Sequence, residues 1–233
     1  SNRIKENRNH EVLYFHKTDD PYSHLTIQFV EKLKEEYSVD LIPILVGEEN
    51  PDALHEPDLY ENYCLEDVKR ISPYYGVDFN GDSYPKKSLV NKANSILAAT
   101  EPNNFIQIAK KVSTHLWNND EEELSVLQKQ FNSSMSKVSE VLSEGNKIRN
   151  NCDYYFGSAF YYEKELYWGI DRIDHLEDRL SELGLKKDLD NEPICAPILN
   201  SPPSLESDKQ VNLYYYPSLN SPYTYASAKR VGE

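Results

Sequence analysis

Residues 12–15, Val-Leu-Tyr-Phe, are apolar without interruption and predict a buried strand. The run ends in Asp20-Pro21, a carboxylate suited to an N-cap followed by a residue whose missing N–H costs nothing in a first helical turn. Leu25, Ile27, Phe29, Val30 and Leu33 then place a helix that closes near Tyr37, and residues 39–46 read as a second strand. Strand, helix and strand of these lengths form a βαβ unit, whose crossover is right-handed in nearly all folds.

Residues 60–71 predict a helix ended by Ser72-Pro73 and Tyr75-Gly76, with Cys64 inside it as a small buried hydrophobe. Three apolar periodic segments follow, at 89–99, 105–117 and 124–142, with Glu101-Pro102-Asn103 and Asn118-Asn119-Asp120 as the breaks between them. Together they predict a helical subdomain over about 60–147. The chain is expected back in the sheet near 150–153, with two short aromatic strands at 156–162 and 165–168 around a Glu163-Lys164 turn. Asp171 is placed to cap a final helix whose buried seam is Ile173, Leu176, Leu180 and Leu183, with Gly184 as its stop. Residues 186–210, polar and rich in proline, read as a linker. A second apolar and aromatic run begins at Val211.

Composition narrows the function classes. With 39 acidic and 25 basic residues the net charge is −14, which argues against nucleic acid and anionic membranes as partners. Cys64, Cys152 and Cys195 form neither a Cys-x-x-Cys nor a metal-ligand spacing, and the six histidines show no ligand pattern, so no metal site is expected. The odd cysteine count favours a reducing compartment, and with no signal peptide or long apolar run the expected location is the cytoplasm. Trp117 and Trp168 are expected in the core.

The first strand and helix start recur late in the chain. Asp20-Pro21-Tyr22-Ser23 aligns with Ser221-Pro222-Tyr223-Thr224, and the aromatic strands before them align too, which suggests a tandem repeat. Here the sequence resembles the DsbA-like branch of the thioredoxin-fold proteins, particularly the 2-hydroxychromene-2-carboxylate isomerases and kappa-class glutathione transferases. A strand leading to a Ser-Pro-Tyr-Ser or Cys-Pro-x-Cys helix start carries the resemblance. So do Glu66-Asp67-Val68-Lys69-Arg70 with Tyr75-Gly76-Val77-Asp78-Phe79, and Tyr167-Trp168-Gly169-Ile170-Asp171-Arg172 after the hairpin. It covers roughly residues 10–185 and implies an α/β thioredoxin-like fold with an inserted all-helical subdomain roofing the substrate cleft. Residues 186–210 would then link it to a truncated second copy over 211–233. A lone strand cannot build a sheet, so that copy is expected to lack order by itself or to pair with a neighbouring sheet edge.

The resemblance also implies a site. In redox members cysteines stand at both ends of the helix-start motif; in the isomerases and transferases a serine at its first position hydrogen-bonds the thiolate of bound glutathione. This chain has Asp20 and Ser23 there, neither with sulfur, so dithiol exchange at the motif is excluded. Two like charges about 4 Å apart repel by ~4 kcal/mol at an effective dielectric of 20, against ~0.3 to 2 kcal/mol returned by a helix end. An ionised Asp20 would therefore expel a thiolate, and only its protonated form, or Ser23 or Thr18, would serve as donor. The family's cis-proline is replaced by Ser158 or Ala159, and Asp171 and Arg172 match the positions that receive the γ-glutamyl end of glutathione. Ser221 sits in an intact Ser-Pro-Tyr-Thr. Catalytic candidates are thus Asp20, Ser23 and Ser221, and glutathione-binding candidates Ser158, Ala159, Asp171 and Arg172. Two readings stay open: a glutathione-dependent isomerase or transferase-like protein, taking a small thiol or aromatic ligand, and a non-catalytic binding or scaffold module. A homodimer is compatible with both.

Overall fold

The computed structural model describes residues 9–48, 56–196, 214–218, 224, 225 and 227. By contact the chain divides into Ser1–Ile198 and Leu199–Glu233. In the first unit β1 (Glu11–Lys17), α1 (Pro21–Glu36) and β2 (Asp40–Val46) make the βαβ unit, and β1 and β2 pair in parallel from Glu11 with Asp40 to Lys17 with Val46. After the helices come β3 (Ala159–Tyr162) and β4 (Glu165–Trp168), which complete a mixed sheet of order β2-β1-β3-β4. β1 is therefore central, and every other strand is positioned through it.

Because side chains alternate along a strand, β1 serves two cores. Val12 and Tyr14 pack with α1 and the helical block, whereas Phe15 joins Ile44, Val46 and Ala159 on the other face. The block consists of α2 (Pro57–Ile71), α3 (Lys87–Ala98), α4 (Phe105–Trp117), α5 (Glu121–Gln130) and α6 (Met135–Asn151). It begins three residues before the expected start and runs to Asn151, so re-entry into the sheet waits until Ala159.

The expected helix over 124–142 is two helices. Ser134 caps α6 by accepting from the Lys137 N–H at 3.2 Å, and the intervening Asn132 and Ser133 are bound by the Ser95 hydroxyl at 2.8 Å each. Capping and side-chain bonding at this break outweigh a continuous apolar period. Asp171 does not cap the final helix either. Residues Ile170–Arg172 form a 3₁₀ turn, α7 (Ile173–Glu182) follows with no side-chain cap, and Asp171 pairs with its neighbour Arg172 at 2.8 Å.

α7 stops near Gly184, which has φ +71°, but the chain beyond does not leave the domain at once. Lys187 N–H donates to Glu36 O at 2.8 Å, while its ammonium donates to the carbonyls of Lys34 and Glu35 at the α1 C-terminus. Buried Glu177 receives the Ile194 N–H at 3.0 Å and the Cys195 N–H at 3.3 Å. The start of the expected linker is thus packed as far as Cys195. In the second unit Tyr214–Ser218 are exposed without regular structure, and the Ser218 N–H donates to Thr224 Oγ1 at 3.2 Å. Thr224, Tyr225 and Ser227 are helical, and Ser221 lies outside the described residues. Among the described residues no helix is long and apolar enough to cross a membrane.

α6 lies directly on β2, and Gly145 makes that approach feasible: a Cβ there would sit 2.0 Å from the Leu45 carbonyl oxygen. Because that neighbour is backbone, Gly145→Ala is expected to lower stability by about 3 kcal/mol or more in denaturant titration. An unchanged midpoint would refute the close packing.

Candidate functional site

The corner from β1 to α1 is built by one carboxylate. Asp20 accepts from the Tyr22 N–H at 3.2 Å, the Ser23 N–H at 2.9 Å and the Ser23 hydroxyl at 2.7 Å, while the Ser23 hydroxyl accepts from the Lys17 N–H at 3.2 Å. The cap expected from the sequence is present, and it occupies donors that a helix end offers an anion. Gly157 crosses this corner closely, for a Cβ on it would stand 2.7 Å from Lys17 Cβ and 3.0 Å from Asp20 Oδ2. Segment 157–158 is thereby brought against the helix start.

Ser158 is fully buried, has φ +52°, shares a hydrogen bond of 2.7 Å with Thr26 Oγ1 and accepts from the Gly169 N–H at 2.8 Å. Ala159 is buried in the ladder, opposite Phe15 and Trp168. The Ser158 carbonyl and hydroxyl are thus both bonded within the protein. Asp20, Ser23 and Ser158 come together, but Asp171 and Arg172 are half exposed and do not line the crevice at Asp20.

That crevice holds about 40 Å³ and is lined by the rings of Tyr60, Tyr84, Phe156 and Trp168. Phe156 stacks on Tyr60 at 5.5 Å and on Trp168 at 5.4 Å between ring centroids, and Tyr22 meets Trp168 edge-on at 5.7 Å. Trp117 is buried as expected; Trp168 is 37% exposed and belongs to the rim rather than the core. Cys64 faces the same crevice. Burial first of all pushes its thiol up to about 11, Tyr60 pulls it back and the Asp20 charge raises it further, so it is a neutral thiol at pH 7.

Next to the crevice, with Asp19, Glu61 and Tyr84 common to both, opens a cleft of about 960 Å³ between the end of β2, α3 and α6. Its distinctive residues are asparagines: Asn91 and Asn94 of α3, Asn146, Asn150 and Asn151 of α6. Asn94 Oδ1 accepts from Thr18 at 2.5 Å and Asn146 Oδ1 from the Gly47 N–H at 2.8 Å. Each amide therefore spends its oxygen on the protein and keeps its NH₂ as donor. Buried Arg149 fixes the adjoining loop through the carbonyls of Gly47 and Glu48 at 3.4 and 3.1 Å. This cleft escaped the sequence reading. Its signal was asparagine, a poor helix former, repeated three and four residues apart in two amphipathic helices.

Two buried histidines flank the corner. His16 shares a 3.1 Å bond with the Tyr14 hydroxyl, and its pKa is pushed down to about 3 by burial and then by His24. His24 is bonded to Ser113 Oγ at 2.8 Å and lowered to about 4 by burial, against hydrogen bonds that raise it. Both are neutral at pH 7 and unsuited to stabilising an anion as imidazolium.

In sequence, no family model and no curated protein matches the chain. As a structure it is similar to 2-hydroxychromene-2-carboxylate isomerase, with TM-score 0.52 and 17% identity over 75% of this chain and 96% of that one. It is also similar to the cytosolic disulfide reductase DsbM from Pseudomonas aeruginosa, with TM-score 0.44 and 12% identity over 67% and 87% of the two chains.

Replacing Asp20 by alanine removes the cap and is expected to cost about 1 kcal/mol in chemical unfolding; no change would mean that the carboxylate does not hold the corner. Acid sensitivity gives a second test. A histidine with a depressed folded pKa binds fewer protons than in the unfolded chain, so stability falls as pH drops below ~6.5, by up to about 1.4 kcal/mol per pH unit for each residue. Nitrogen-detected spectra should find both imidazoles neutral at about pH 5, and protonation there would overturn this account.

Proposed function

We propose that this chain, which has the DsbA-like thioredoxin fold with an inserted helical block, is a binding module for a small oxygen-rich, uncharged ligand. The ligand lies in the asparagine-lined cleft, and the helix start beside it performs no thiol chemistry. The observation that carries this reading is the Asp20 carboxylate on the N–H groups of Tyr22 and Ser23. A thiolate would need those donors and would meet a carboxylate in their place. The space in front of Asp20, about 40 Å³, takes a water molecule or little more. A glutathione sulfur reaches the helix end only if rings of the rim move.

The neighbouring cleft, at about 960 Å³, has the volume of a ligand site. Asn94 and Asn146 offer amide donors, which suit hydroxyl, ether or carbonyl oxygens. Lys87 and Lys147 also line it, but Asp19, Glu48 and Glu61 outnumber them, which disfavours a polyanion. Tyr84 supplies an aromatic wall, so a ring bearing several hydroxyls, a sugar or a nucleoside, matches the lining.

Calorimetry with glutathione separates this reading from a glutathione-dependent enzyme. The wild type is expected to show no saturable binding at millimolar glutathione, and Asp20→Ser, which removes the carboxylate charge from the helix end, to gain affinity by about tenfold. Saturable wild-type binding lost in Asp171→Ala would establish the glutathione reading in its place. A panel of neutral sugars and nucleosides tests the positive half: a binder raises Tm in the wild type but not in Asn94→Leu.

A further inference from the structure

Where α1 runs beside α4, under the segment 75–80, lies a cleft of about 450 Å³ that shares no lining residue with the asparagine-lined one. Its lining has a definite chemical bias. Lys32 and Lys110 bring two ammonium groups, and among the described residues neither makes an ion pair, in a chain whose net charge is −14. Trp117 also lines the cleft; its indole N–H is wholly buried and has no hydrogen-bond partner among the described residues. Ammonium groups donate and cannot accept, so the complement of the two lysines is a cluster of anionic oxygens.

The rest of the cleft describes the body attached to that anion. Phe29 and Tyr75 face each other edge-on at 6.4 Å between ring centroids and form a half-buried aromatic wall, with Lys32 Nζ 5.9 Å from the Phe29 ring. Asp78 is exposed at the opening and is the acidic side chain of the lining. It cannot serve the anion, but a carboxylate accepts from paired hydroxyls. His24 is neutral at pH 7 because burial lowers it, and it adds no charge.

We propose that this cleft is a site for a nucleoside monophosphate. Its phosphate, of charge near −2, matches Lys32 and Lys110, its base lies against Phe29 and Tyr75, and its ribose hydroxyls face Asp78. The cleft is smaller than the first and has two cations rather than a glycine-rich loop, which favours one phosphate over a chain of them.

Trp168→Phe leaves Trp117 as the sole tryptophan and a fluorescence reporter in the wall of the cleft. In that background AMP is expected to quench saturably, adenosine to bind about tenfold or more weakly, and Lys32→Gln and Lys110→Gln each to weaken AMP by a similar factor while leaving adenosine unchanged. Both lysines are at the surface, and an unchanged Tm checks that the variants fold. Asn94→Leu, in the other cleft, should leave AMP binding intact, so failure of the first site and failure of this one read differently. Equal affinity for AMP and adenosine, no AMP binding at millimolar concentration, or AMP binding abolished by Asn94→Leu would each overturn the proposal.

Discussion

The molecule turns on one corner, where the central strand hands the chain to its most buried helix and the Asp20 carboxylate holds the exchange. Helix starts leave unpaired N–H groups, and a buried start must satisfy them. Asp20 does so from within the chain, through Tyr22 and Ser23, and the Ser23 hydroxyl ties the corner back to Lys17. Gly157 can press against this corner only because it has no side chain. Strand end, helix start and the approach to β3 are therefore one packed unit.

Room for a molecule larger than water lies beside this corner. Two clefts larger than the crevice at Asp20 lie where the helical block meets the βαβ unit. One opens between α3, α6 and the end of β2, the other between α1 and α4. Each is a cleft between elements distant in sequence, and each carries polar groups with hydrogen-bonding capacity left over: amide NH₂ groups in the first, ammonium groups in the second.

Much of the fold was legible locally. Asp20-Pro21 marked the α1 start because capping and a fixed φ act within a few residues, and the apolar run at 12–15 marked a buried strand. The break at 131–134 was not legible, since it depends on Ser95 bonding Asn132 and Ser133 across 37 and 38 residues. Nor was the pairing of Asp171 with Arg172 in place of a cap, because the 3₁₀ turn at Ile170–Arg172 moves the helix start past the aspartate. Trp168 read as core from its size, while its strand edge turned it to the rim.

By itself the sequence determined the βαβ opening, the helical block, the aromatic hairpin and a helix start without sulfur, since each depends on periodicity, capping chemistry or residue identity over short range. Only the tertiary structure decided where a ligand has room. Asn94 meets Thr18 across 76 residues and Asn146 meets Gly47 across 99, and no local pattern specifies such distances. A helix cap is a property of neighbours along the chain; a cleft is a property of surfaces that meet only after folding.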